Sequence, residues 1–183
     1  MELTKNLYIQ KYLKYCLVII FGTILLTISA KIKIPFYPVP MTMKTLVVLF
    51  VGMEFGYKIG LSIVILYLLE GILGLPVFSN SPEKGIGLVY FTGPTMGYLI
   101  GFIFASFLSG YFNMNTGYLY VFIKLIISVS VIYFFGVLWL GYLIGWDKPL
   151  INIGVMPFLL AELFKILILT LSSKQLVKLK KFI

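Results

Sequence analysis

The sequence has no histidine, no arginine and a single cysteine, Cys16. The usual histidine and cysteine ligand sets for zinc and haem are therefore missing. Ser-His-Asp and Cys-His nucleophilic mechanisms are excluded on the same ground. One cysteine permits no intrachain disulfide. No G-x-x-x-x-G-K-[ST] segment occurs, so the chain carries no phosphate-cradling loop with which to use ATP. Charge is also scarce: 11% of residues, against about 25% in an ordinary soluble domain. Hydrophobic residues make up 61%, mean hydropathy is +1.06, and no polar stretch is long enough for a separate soluble domain. The whole of 1–183 reads as one integral membrane domain.

The charge that remains is lopsided, with 15 basic residues against 6 acidic ones and a net +9. A basic excess points to nucleic acid only when it clusters on a soluble face, and none does so here. Instead Lys5, Lys11 and Lys14 precede the first apolar run, and Lys174, Lys178, Lys180 and Lys181 follow the last. That is the pattern of cytoplasmic anchors under the positive-inside rule, with lipid as the surrounding medium.

Hydrophobic runs predict six spans, over about 13–30, 42–53, 57–73, 93–109, 118–143 and 153–172. The first follows a basic stretch, and Ile28-Ser29-Ala30 weakly resembles a cleavage site. It is kept as a helix because further spans follow without a soluble domain. An even number of spans puts both termini on one side. With Lys58 in the second turn also inside, and Lys31, Lys33, Lys84 and Lys148 outside, the bias places the termini in the cytoplasm. A bacterial inner membrane is the expected location.

The connections after spans one, three and five then face outward, and they are the elaborate ones. The first, Lys33 to Thr42, holds Pro35, Pro38 and Pro40, which remove helical donors and push their predecessors towards extended geometry. Backbone of this kind is tolerated near a membrane only at its surface or beside an enclosed cavity. A structured cap over an outward-opening site is expected. Span four carries Gly93, Gly97, Gly101, Ala105 and Ser109 at every fourth position, and Gly52, Gly56 and Gly60 repeat the interval across a turn at 52–56. Small residues so spaced let helices approach closely, and internal packing is the expected use.

Chemistry must come from the few charges within spans. Glu162 and Lys165, three apart, share one face of the sixth. Each costs roughly 2.5–3.5 kcal/mol to insert mid-helix, and such residues usually face the bundle interior at a functional site. Lys44 and Glu70, near the outer ends of spans two and three, are placed to pair with each other. Lys124 is placed to snorkel to the inner surface.

Taken together, Ile34-Pro35-Phe36-Tyr37-Pro38-Val39-Pro40-Met41-Thr42, Gly71-Ile72-Leu73-Gly74-Leu75-Pro76-Val77-Phe78, Gly93-Pro94-Thr95-Met96-Gly97-Tyr98-Leu99 and Pro157-Phe158 resemble the BioY family over nearly the whole chain. These are the biotin-specific, membrane-embedded S components of energy-coupling-factor transporters. Glu162 stands where that family usually has aspartate, Lys44 where glutamine is common, and Met96 where a second glycine is usual. A family arginine ahead of the Gly-Pro-Thr segment has no counterpart.

The resemblance implies an all-α integral membrane protein: a bundle of six transmembrane helices with structured outer loops. It also implies a biotin site beneath those loops, no enzymatic activity, and no cofactor beyond biotin as the transported substrate. The partners it implies are a transmembrane coupling protein and a pair of ATPases, though some members are thought to act alone. Carried over, the site involves Asn80, Glu162 and Lys165. The chemistry of biotin agrees: a carboxylate such as Glu162 accepts ureido N–H bonds, and the Asn80 amide donates to the ureido carbonyl. The substrate carboxylate wants a cation, for which Lys165 comes first and Lys84 or Lys44 second. Phe36, Tyr37, Phe78, Tyr90 and Phe91 are candidate apolar walls of a mostly apolar pocket. Gly22, Thr23, Thr27 and Ala30 on span one are candidate partner-facing residues, with packing inside the bundle as the alternative. An S component for another vitamin, a membrane enzyme and an assembly subunit stay open as other readings.

Overall fold

The computed structural model describes residues 2–35, 37–83 and 85–179. Helix α1 (Glu2–Lys31) leads into a two-stranded antiparallel hairpin, β1 (Lys33–Ile34) and β2 (Met41–Thr42), in which Lys33 faces Thr42 and Ile34 faces Met41. Then come α2 (Lys44–Ile72), a 3₁₀ segment at Gly87–Thr92, α3 (Met96–Tyr111), α4 (Tyr118–Ile144), the short α5 (Leu150–Gly154), a 3₁₀ turn at Met156–Phe158, and α6 (Leu159–Leu179). Among the described residues four helical stretches, 12–31, 44–72, 118–144 and 150–175, are by length and composition apolar enough to cross a bilayer, while α3 is apolar but shorter.

Helix α2 does not run straight. At Gly56 the backbone takes φ 79° and ψ 170°, a region closed to residues with a Cβ. A Cβ on Gly60 would lie 2.9 Å from the Cα of Gly52. Eight residues along a straight helix span about 12 Å. The chain therefore doubles back, and 44–55 and 57–72 pack side by side as antiparallel arms. The expected break between spans two and three is present, but it is confined to Gly56. Gly52 lies inside the first arm, buried against Ser106 and Ser109 of α3.

The small residues of α3 are used as close-approach points. Gly97 sits against Phe135 and Trp139 of α4, and a Cβ on Gly101 would come within 2.6 Å of Ile132 Cα. Trp139 Nε1 donates to Gly93 O at 2.8 Å, fixing the start of α3 to α4. Two boundaries differ from expectation. Helix α3 begins at Met96 because 87–92 is a 3₁₀ segment ending on Gly93-Pro94. The sixth span is broken at 155–158, where Pro157 lacks the N–H needed to continue the helix from α5.

The stripe on α1 calls for a correction. Gly22, Thr23 and Ala30 are buried inside the bundle, Gly22 against Ile63 of α2, and Thr27 bonds to the Thr23 carbonyl of its own helix. These residues are consumed by intramolecular packing. The exposed face of α1 is instead large and apolar, with Leu13, Leu17, Ile20, Phe21, Ile24 and Ile28.

The turns sort into two ends. The hairpin, the 73–95 connection and the 145–158 segment gather at one. At the other, Lys174 of α6 lies over the Tyr118 ring of α4 at 4.5 Å, and Lys124 Nζ donates to Asn113 O and Thr116 Oγ1, capping the α3–α4 turn.

Candidate ligand-binding site

Beneath the hairpin lies a small cavity of about 40 Å³. Val39, Pro40, Met41 and Thr42 cover it; Lys44 and Thr45 enter from the start of α2, and Ser79 from the 73–95 connection. Thr95, Tyr98 and Phe102 line it from the α3 side, Ile132 and Tyr133 from α4, and Phe158 and Glu162 from the last span. The proline-rich connection thus lies over a cavity, one of the two placements its composition allows.

Glu162 of α6 lines the cavity, and Lys165, which does not, pairs with it. Glu162 and Lys165 are 5% and 4% exposed, and Lys165 Nζ donates to Glu162 Oε1 at 2.8 Å. The same ammonium donates to the Thr42 carbonyl at 2.7 Å, so it also ties α6 to the covering hairpin. Lys165 is thereby supplied with two acceptors. Glu162 Oε2 is buried without a well-formed hydrogen bond among the described residues, and the Tyr133 hydroxyl interacts with the same carboxylate. A buried carboxylate oxygen so weakly satisfied costs free energy and keeps the capacity to accept a ligand N–H. The break at Pro157 sets this geometry. It restarts the helix at Leu159, with Phe158 and Glu162 turned to the cavity, and Tyr98 Oη holds the preceding segment by donating to Gly154 O at 2.8 Å.

Lys44 is the second charged residue that lines the cavity. It is 5% exposed, with Nζ 5.4 Å from the centroid of the Phe102 ring. The expected pairing with Glu70 is not made among the described residues, because Lys44 turns inward onto Phe102.

Other expected site residues are placed differently. Asn80 lies in a smaller adjoining gap lined by Pro38, Asn80, Tyr90, Gly93, Pro94 and Thr95, and its Oδ1 accepts from Lys33 Nζ at 3.2 Å. Only Thr95 borders both spaces. Tyr90 is buried beside Asn80, its hydroxyl 3.2 Å from Ser79 Oγ. Phe78 is 1% exposed and locked between Tyr67, Tyr90 and Phe91 with centroids 4.5–5.4 Å apart. Its ring anchors the connection and is not a cavity wall. Tyr37 is 89% exposed, lies between the two strands of the hairpin and does not line the cavity. Lys84 and Phe36 lie outside the described residues.

Sequence reasoning passed over Thr95, Tyr98, Phe102 and Tyr133. Thr95 had a local signal, as the residue after Gly93-Pro94 at a helix start. The three aromatics had none, being buried in uniformly apolar spans.

A latch holds the second wall. Lys31 Nζ, at the end of α1, donates to Phe78 O at 3.0 Å and Ser81 O at 2.9 Å. Lys31→Met removes both bonds. Amide hydrogen exchange over 78–83, read by mass spectrometry, is expected to speed up by about tenfold, the equivalent of ~1.4 kcal/mol of local opening. Unchanged exchange there would show that the connection is held by Phe78 packing alone.

The family model described as BioY matches residues 4–182. The chain belongs to the BioY family. A probable biotin transporter BioY of Pyrococcus horikoshii is 33% identical over 141 residues, covering 77% of this chain and 82% of that protein. The biotin transporter BioY of Thermotoga maritima is 33% identical over 159 residues, covering 86% and 92%. A crystal structure described as the S component for biotin from an ECF-type ABC transporter superposes with a TM-score of 0.78 at 25% identity, covering 92% of this chain and 93% of its own. BioY proteins are membrane transporters, not enzymes, which agrees with the missing catalytic residues and the several apolar helices here.

Proposed function

We propose that this protein is the biotin-binding S component of an energy-coupling-factor transporter and mediates biotin uptake. Membership of the BioY family and the likeness to a biotin S component support this. The observation that carries it to particular residues is the buried Glu162–Lys165 pair, with Glu162 lining the cavity and its Oε2 without a well-formed hydrogen bond. In this reading Glu162 accepts a ureido N–H of biotin, and Lys165 holds the Glu162 carboxylate in place while seating the hairpin. The threonine, serine and tyrosine hydroxyls around it complete the ureido contacts, and Phe102, Ile132 and Phe158 pack on the apolar part of the ligand.

The two arms of α2 count as separate spans in this proposal, giving six with α1, α3, α4 and α6. The hairpin then faces outward and both termini lie in the cytoplasm of a bacterial cell. No ATP-binding loop is present in the sequence, so energy comes from a partner ATPase pair through a transmembrane coupling protein. Substrate enters beneath the hairpin, and the partners reorient the bundle so that the cavity opens inward.

The test is uptake of radiolabelled biotin by bacteria lacking their own importer. Cells producing this chain with a coupling protein and ATPases are expected to accumulate biotin and to lose accumulation when ATP is depleted. Absence of accumulation, together with absence of biotin binding to the purified chain, would refute the reading.

A further inference from the structure

The polar groups at the cavity do not balance. Glu162 and Lys165 neutralise each other through their 2.8 Å contact, and Lys165 spends a second donor on the Thr42 carbonyl. Lys44 is left over. Its side chain lines the same cavity, is almost wholly buried, and has neither a hydrogen bond nor an ion pair among the described residues; its one favourable contact is the face of Phe102. Lys165 and Lys31 only repel it. An aromatic face is worth about 2 kcal/mol to a desolvated cation, less than the several kcal/mol that burying an ammonium costs. Such a group is retained when something else in the cavity completes it, and the cavity offers no second carboxylate.

We infer that Lys44 is the counter-ion of the substrate carboxylate and makes this site selective for the free acid over its uncharged amide. The inference rests on the biotin reading and assigns a role within it. Glu162 holds the N–H end of the ligand, Lys165 positions Glu162 and the hairpin, and Lys44 holds the anionic end. Thr45, the next residue, adds a hydroxyl at the same wall. The lysine is long enough to reach into the cavity from the first residue of α2, and Phe102 keeps its methylene stem and ammonium directed there. In a chain with no arginine, a single ammonium carries the recognition that a bidentate guanidinium would otherwise supply.

The test compares biotin with biotinamide, which keeps the ring system and chain but has no charge. Equilibrium binding is measured on the purified full chain in lipid nanodiscs, for wild type, Lys44→Met and Lys44→Gln. Wild type is expected to prefer biotin by about 10- to 100-fold, the range for a hydrogen bond to a charged group. In both variants biotin affinity falls to that of biotinamide. Equal binding of the two ligands by wild type overturns the inference without any mutation. So does a preference that survives in either variant. If wild type binds neither ligand, the biotin reading itself fails and takes this assignment with it. Two variants of different polarity ensure that misfolding of one does not decide the outcome.

Discussion

Lys165→Met is expected to abolish biotin binding and to destabilise the protein most, whereas Glu162→Gln weakens binding and destabilises it less. The asymmetry follows from burial. Both groups are about 95% shielded, and the ammonium has two acceptors, Glu162 Oε1 and Thr42 O. Removing it leaves a carboxylate uncompensated at low dielectric, a change that costs about 3–5 kcal/mol. It also frees the hairpin from α6. Replacing Glu162 by glutamine leaves the ammonium without its counter-charge but keeps the shape and two acceptors, Thr42 O and the glutamine oxygen, so less stability is lost. Biotin affinity is then expected to fall about 10- to 100-fold through loss of a charge-assisted bond. The double variant Glu162→Gln/Lys165→Met regains most of the lost stability, because no lone charge remains, and still fails to bind. Thermal unfolding in detergent alongside equilibrium biotin binding reads both effects. Wild-type affinity in the double variant would disconnect the pair from the ligand.

The second large effect is expected at the crossing of the two arms of α2. Gly60→Val places a branched side chain where the Cβ alone would be 2.9 Å from Gly52 Cα and 2.9 Å from Ser106 Oγ. Backbone cannot give way as a flexible side-chain tip can. The arms must separate, taking with them the contact between Gly52 and α3. Overpacking of this kind costs typically 1–3 kcal/mol, and more where backbone is the obstacle. The expected result is loss of folded, monodisperse protein on size-exclusion chromatography. Gly117→Ala is the comparison: the nearest atom to its Cβ is Tyr120 Cδ2 at 3.6 Å, an ordinary contact. Equal yields for the two variants would mean that the arms do not cross closely.

Much of this was legible in the amino-acid order, for reasons specific to a bilayer. Where every exposed surface is apolar, charges and prolines stand out, so Glu162, Lys165 and the proline-rich cap drew attention at once. The Gly56 reversal was readable as a turn, but not its sharpness, because a single glycine at positive φ leaves no longer signature than three glycines at fourfold spacing. Tyr98, Phe102 and Tyr133 were hidden for the converse reason: an aromatic lining a cavity and an aromatic facing lipid look alike in a uniformly greasy segment. The α1 stripe was misplaced because small residues permit close approach without saying whether the neighbour belongs to the same chain. Only the burial of Thr23 and Ala30, and Ile63 against Gly22, decide that.

The self-cancelling pair on α6 bears on voltage. Moving one elementary charge through a membrane potential of 100 mV involves about 2.3 kcal/mol. Because Glu162 and Lys165 travel together on one helix turn, any motion that carries the cavity across the bilayer transfers no net charge from them. The electrical field of the cell then neither drives nor resists their passage.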